Sequence, residues 1–116
     1  MSVYNNNVVI VGNLCKEAEI KDTSAGTVAS FTLGVYRSGK GKEAVSDFIR
    51  VTCWHDICRG MAEVDKGTKL IVAGTIVTRS YEVEGVKKYV TEILAREIGR
   101  DISIKKDDIG SEDEPF

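Results

Sequence analysis

Residues 29–36 and 48–54 each alternate two kinds of side chain with a period of two, and only an extended strand keeps such sets on opposite faces. In the first stretch Ala29, Phe31, Leu33 and Val35 fall on one side, and Ser30, Thr32, Gly34 and Tyr36 on the other. In the second, Ile49, Val51 and Cys53 alternate with Phe48, Arg50, Thr52 and Trp54. A helix would scatter these sets around its axis, so the chain reads as a sheet protein whose aliphatic face fills the core.

The remaining segments extend that reading. Val8-Val9-Ile10-Val11 is a β-branched run ended by Gly12 and Asn13, which fits a strand covered on both faces and hints at a subunit contact. Residues 18–22 continue it after a bend, and Ser24-Ala25-Gly26 turns the chain into a second strand over 27–36. The third strand spans 47–54. Ile57, Met61 and Val64 then lie at helical spacing, giving a short helix over 57–64 with Asp56 as its N-cap, despite Gly60. Lys66-Gly67 turns into a fourth strand over 70–81, and Glu84-Gly85 makes a hairpin into a fifth over 87–95. Five strands with one helix between the third and fourth is the order of an OB-fold, an all-β, five-stranded Greek-key barrel that binds oligonucleotides on one face.

The 116 residues fit one domain. A net charge of −2 hides an asymmetry: residues 107–116 hold Asp107, Asp108, Glu112, Asp113 and Glu114 and no base, so residues 1–106 carry 16 bases against 13 acids. The expected organisation is a binding domain over 1–104 and a disordered acidic tail over 105–116, whose few apolar residues cannot offset the entropy of ordering it. No apolar stretch reaches bilayer length, and Met1 to Asn5 lacks the basic-then-apolar pattern of a secretion signal. A cytoplasmic location is expected. Three cysteines, Cys15, Cys53 and Cys58, form no disulfide framework.

The chemistry sits on the second face of the third strand. With the aliphatic set inside, Phe48, Arg50 and Trp54 point outward, and exposing two large aromatics demands a partner. Six residues of strand separate Phe48 from Trp54 by about 20 Å, far enough to stack on different bases. Arg79 and Tyr81 share a side near the end of the fourth strand, Tyr36 ends the polar face of the second, and Arg37, Lys40 and Lys42 make the next loop basic. Stacking on aromatics contributes roughly 1–3 kcal/mol per base whatever the base, while neighbouring cations attract phosphates. Any single aromatic is more often packed in a core or subunit interface. Their combination favours nucleic acid, with Tyr36 and Tyr89 balanced between the two roles.

The chain resembles the bacterial-type single-stranded DNA-binding proteins of bacteria and their viruses. The resemblance runs over residues 6–95 and the tail. It is carried by Asn7-Val8-Val9-Ile10-Val11-Gly12-Asn13-Leu14, Ala29-Ser30-Phe31-Thr32-Leu33, Asp47-Phe48-Ile49-Arg50-Val51, Lys66-Gly67, Thr78-Arg79-Ser80-Tyr81, Tyr89-Val90-Thr91-Glu92 and the terminal acidic-Pro-Phe. It implies a homotetramer wrapped by single-stranded DNA, with Phe48, Trp54 and Tyr81 at stacking positions and Arg37, Lys66 and Arg79 along the phosphate path. It also implies that the tip Glu112-Asp113-Glu114-Pro115-Phe116 docks replication, recombination and repair enzymes in a nucleoid-associated protein. Gly39 and Ser80 depart from the pattern, standing where many members have an aromatic and a base.

Rival readings are weaker. Cys53, His55 and Cys58 lie close in sequence, but their mixed spacing and the inward Cys53 fit structural zinc poorly, so neither metal nor cofactor is expected. Clustered carboxylates for phosphodiester hydrolysis are missing from the sequence pattern, so no enzymatic turnover is expected. RNA remains an alternative ligand, since stacking surfaces accept both sugars. A pure protein-interaction module would leave the Phe48 and Trp54 face unexplained.

Overall fold

The computed structural model describes residues 5–102. Its strands are β1 (Val8–Leu14), β2 (Glu19–Thr23), β3 (Gly26–Ser38), β4 (Val45–Trp54), β5 (Lys69–Val83) and β6 (Val86–Arg100). They lie in the order β1–β5–β6–β4–β3–β2, and β1 also pairs with β3 through Asn13 opposite Gly34 and Leu14 opposite Leu33. That last pairing closes the sheet into a barrel. β1 and β2 are the two halves of the expected first strand, parted by the bend at 15–18, so the architecture is the five-stranded OB-fold read from the sequence. The β4–β6 contact is parallel and the other pairings are antiparallel.

The alternation sorts the side chains as expected. Ala29, Phe31, Leu33, Val51 and Cys53 are buried, joined by Leu14, Leu70, Val72, Ile93 and Ala95 from the facing strands. Val35 and Ile49 pack against this core while remaining half-buried. On β1, Val9 is 62 % exposed and Val11 40 % exposed in the single chain, so the outer face of that strand is apolar and uncovered.

The long β5–β6 hairpin sets the register of everything downstream. Its two-residue turn places Glu84 at φ 51° and Gly85 at φ 79°, the primed geometry whose twist matches the flanking strands. Pairing runs unbroken from Val83–Val86 back to Gly74–Ala95 and then slips, Ala73 facing Glu97. At this bulge the strands approach so closely that a Cβ on Gly74 would lie 2.2 Å from the Leu94 carbonyl oxygen.

The helical segment between the third and fourth expected strands consists of two 3₁₀ turns, His55–Cys58 and Met61–Glu63, parted by Gly60 at φ 94°. Three-residue spacing turns Cys58, Met61 and Val64 toward the core and leaves Ile57 38 % exposed. Asp56 is not the N-cap. Trp54 occupies that position without a side-chain bond, and the Asp56 carboxylate instead accepts from Arg59 Nη2 at 2.9 Å. No described helix is long and apolar enough to cross a membrane. Residues 105–116, with the tip from Glu112 to Phe116, lie outside the described residues.

Candidate nucleic-acid interface

Register decides which side chains share the barrel's outer face. Buried Val51 faces buried Ile93, so the next pair, Thr52 and Leu94, points out, and with them Phe48, Arg50 and Trp54 of β4 and Glu92 and Lys88 of β6. Glu92 opposite Val77, and Lys88 opposite Tyr81, carry the same face onto Arg79 and Tyr81 of β5. On β3, Val28 faces Trp54 and Tyr36 faces Ser46, which adds Tyr36 at the far end. Four neighbouring strands therefore bring together Trp54, Arg50, Arg79, Phe48, Tyr81 and Tyr36. Phe48 is 71 % exposed, Tyr36 62 % and Tyr81 46 %, while Trp54 is half-buried. Neither Phe48 nor Trp54 is sealed in the core.

Local structure orients these rings. After Trp54 the chain turns through His55 at φ 58°, a conformation uncommon for a residue with a Cβ, and the imidazole lies 5.9 Å from the indole at a 46° tilt. Phe48 lies beside Gly34, where a Cβ would sit 3.6 Å from its ring. The Tyr36 hydroxyl donates to the Gly39 carbonyl, fixing the ring against the start of the β3–β4 loop.

At the middle of the face is a three-residue charge cluster. Arg50 Nε donates to Glu92 Oε2 at 3.0 Å, and Arg79 Nε donates to Glu92 Oε1 at 2.8 Å. Glu92 is only 5 % exposed and is the one buried charged side chain among the described residues. A cavity of about 320 Å³ lies on one side of the cluster, with Val28, Trp54 and Leu94 among its walls and Arg50, Arg79 and Glu92 contributing charge. On the other side, β4 and β6 pair only at residues 51–52 and 93–94, and where they part a second cavity of about 250 Å³ opens between Phe48, Val8, Ile10 and Ile76. Arg50 and Glu92 border both.

The remaining expected cations are placed differently. Arg37 belongs to β3, and its guanidinium grips Asp47 of β4 through Nε at 3.1 Å and through Nη2. That bond holds the Asp47 carboxyl below its ordinary range and raises Arg37. Lys40 and Lys42 are exposed around a 3₁₀ turn, Gly41–Glu43, so the expected flexible loop contains a turn of its own. Lys66 is exposed on the turn into β5, where its backbone N–H donates to Glu17 and lowers that carboxyl's pKa. It is not among the residues lining the Trp54 cavity. Tyr89 points to the opposite side of the hairpin, with Lys87 Nζ 5.8 Å above its ring.

Two of the thiols, Cys53 and Cys58, lie together in the core. Cys53 is fully buried, and burial, with Cys58 beside it, pushes its thiol up to about 12. Cys58 Sγ donates to the His55 carbonyl at 2.9 Å. No group of three or more potential metal ligands gathers among the described residues.

Sequence reasoning missed Glu92 as a site residue and the Asp47 partner of Arg37. A signal for the first existed: counting back from the Glu84-Gly85 turn puts Arg79 opposite Val90, one diagonal step from Glu92.

A closed barrel of this strand order is the OB-fold class, here with rings and guanidiniums gathered on one outer sheet. Residues 5–101 match the single-strand binding protein family, and the chain belongs to that family. It is 41 % identical over 95 residues to a single-stranded DNA-binding protein of Streptococcus mutans, covering 78 % of this chain and 58 % of that protein. Single-stranded DNA-binding protein B of Bacillus subtilis is 44 % identical over 95 residues, covering 78 % and 84 %. Single-stranded DNA-binding protein 3 of Clostridium acetobutylicum is 43 % identical over 98 residues, covering 80 % and 68 %. The chain thus spans about three-fifths of the streptococcal relatives it matches.

Proposed function

We propose that this protein binds single-stranded DNA without regard to sequence, as a binder and not an enzyme, along the outer face of β3, β4, β6 and β5. The observation that carries the reading is the convergence of exposed Phe48, Tyr81 and Tyr36 and half-buried Trp54 with Arg50 and Arg79 on one continuous surface. Rings present a π-face that any base can stack on, and the guanidiniums meet phosphates, so the surface holds a strand by what all nucleotides share. Lys40, Lys42, Lys66 and Arg37 supply further phosphate contacts on this reading, Arg37 by exchanging or sharing its bond to Asp47. Membership of the family and relatives named for single-stranded DNA binding support the choice of DNA over RNA.

The wider role is protection and organisation of single strands during replication, recombination and repair, in a nucleoid-associated homotetramer. Exposed Val9 and Val11 on β1, beside 39 % exposed Ile71 on β5, support assembly through that apolar face. The tip Glu112-Asp113-Glu114-Pro115-Phe116 recruits partner enzymes by charge and by an aromatic anchor, and the acids of 107–116 compete with DNA for the basic face.

Titration with matched dT, rU and duplex oligomers, alongside light scattering, tests this reading. Tight binding of dT by an assembly of several chains is expected. Preference for duplex, or stronger capture of rU than of dT, overturns it. Deleting 107–116 should raise low-salt affinity for dT, and an unchanged value removes the competition.

A further inference from the structure

Glu92 is an unusual residue to find where it lies. It occupies an outward position of β6 between Val90 and Leu94, yet it is 5 % exposed and charged. Burying a carboxylate is costly, and packed apolar side chains often serve stability as well as a buried ion pair does. Stability alone therefore does not account for a glutamate here. Its two oxygens are divided between two arginines from different strands, Arg50 on β4 and Arg79 on β5. Each arginine is bonded through Nε, the edge nearest its own stem, so the η nitrogens at the tip are not the ones engaged with Glu92. The two Nε atoms are held within about 8 Å of each other by two hydrogen bonds and the width of one carboxylate.

We infer that Glu92 is a positioning residue that joins Arg50 and Arg79 into one seat for a single phosphate of the bound strand. The inference rests on the single-stranded DNA reading and deepens it. An exposed arginine alone must be ordered when it meets its ligand, whereas a guanidinium anchored at Nε presents its η nitrogens already aimed. The cavity walled by Trp54, Val28 and Leu94 opens beside the same three charged groups on the outer face, where a base next to that phosphate would stack. Glu92 lowers the local positive charge by one while fixing the geometry of the remaining two, so it exchanges raw attraction for placement.

That exchange gives the test its sign. In Glu92→Gln the repelling charge is gone, so attraction without positioning makes binding tighter. Positioning makes it weaker, because an amide offers one acceptor oxygen and turns an NH₂ donor toward the other guanidinium, releasing it. Anisotropy titration of a labelled dT oligomer should show Kd rising about tenfold in Glu92→Gln, the scale of one charge-assisted hydrogen bond, with thermal unfolding still cooperative. An unchanged or lower Kd overturns the inference. Should Glu92→Gln fail to fold, the Arg Nε–H signals of the unaltered protein decide: Arg50 and Arg79 should both be exchange-protected and should shift together on adding dT. A shift in one without the other overturns the seat. If the unaltered chain does not bind dT at all, the DNA reading itself falls, an outcome distinct from either result.

Discussion

Phe31 and Phe48 sit on neighbouring strands and face opposite ways, so truncating each to alanine should separate folding from binding. Phe31 is 4 % exposed and lies against the core opposite Val51. Removing its ring should cost about 3–5 kcal/mol of stability, as large-to-small changes in cores do. Phe48 is 71 % exposed. If a phenyl ring buries roughly 200 Å² when enclosed, the hidden share of Phe48 is about 60 Å², which at 25 cal/mol per Å² is at most about 1.5 kcal/mol. Its stacking, by contrast, should contribute roughly 1–3 kcal/mol to DNA affinity, or about 5- to 150-fold in Kd. Urea unfolding followed by far-UV circular dichroism, at one fixed protein concentration so that assembly does not distort the midpoint, gives the first quantity. Anisotropy of a labelled dT oligomer gives the second. Phe48 is not a stacking residue if Phe48→Ala destabilises as much as Phe31→Ala, or if it leaves Kd within about twofold of the unaltered chain.

Gly74→Ala should cost about 3 kcal/mol in the same urea experiment, because its methyl would meet the Leu94 carbonyl 2.2 Å away and both strands would have to part; a loss under about 0.5 kcal/mol contradicts this. Cys53, whose thiol is raised to about 12, should stay unmodified when the native protein meets a thiol reagent at mildly alkaline pH, while half-buried Cys15 reacts; mass spectrometry showing equal labelling of the two contradicts it. Asp47 has a folded pKa below its ordinary 3.8, so its bond to Arg37 stabilises fully above that value and is lost as pH falls through the lower folded one. Asp47→Asn should therefore reduce the acid sensitivity of stability in that window and leave the neutral-pH slope alone, as pH-dependent thermal unfolding would report.

Much of this fold was legible because its strands keep one face dry. A strict period of two places Phe31 in and Phe48 out without any knowledge of what lies across the sheet. The hairpin was legible too, since Glu84-Gly85 demands a primed turn, and Gly85 accepts the positive φ easily. What depends on contacts distant in sequence was not. The parallel contact of β4 with β6 joins Val51 to Ile93, and no local pattern announces it. That contact lies beneath the meeting of Arg50 with Glu92, so the centre of the candidate site stayed hidden although each member was visible. The pairing of Arg37 with Asp47 escaped for a related reason, the irregularity between Tyr36 and Ser38 shifting the register at that point. Apolar residues at helical spacing over 57–64 suggested Asp56 as an N-cap, but Gly60 at positive φ divides the segment into two tight turns and frees Asp56 for Arg59.

The proposed function requires a single strand to stack along the face containing Trp54. Trp54 is the only tryptophan, so its emission reports that face directly. Titration with poly(dT) at several salt concentrations should quench Trp54 saturably, with log K falling against log salt by about 0.7 for each phosphate neutralised. Binding of a labelled strand that leaves Trp54 emission untouched, or an affinity indifferent to salt, would show that the strand does not stack on this face.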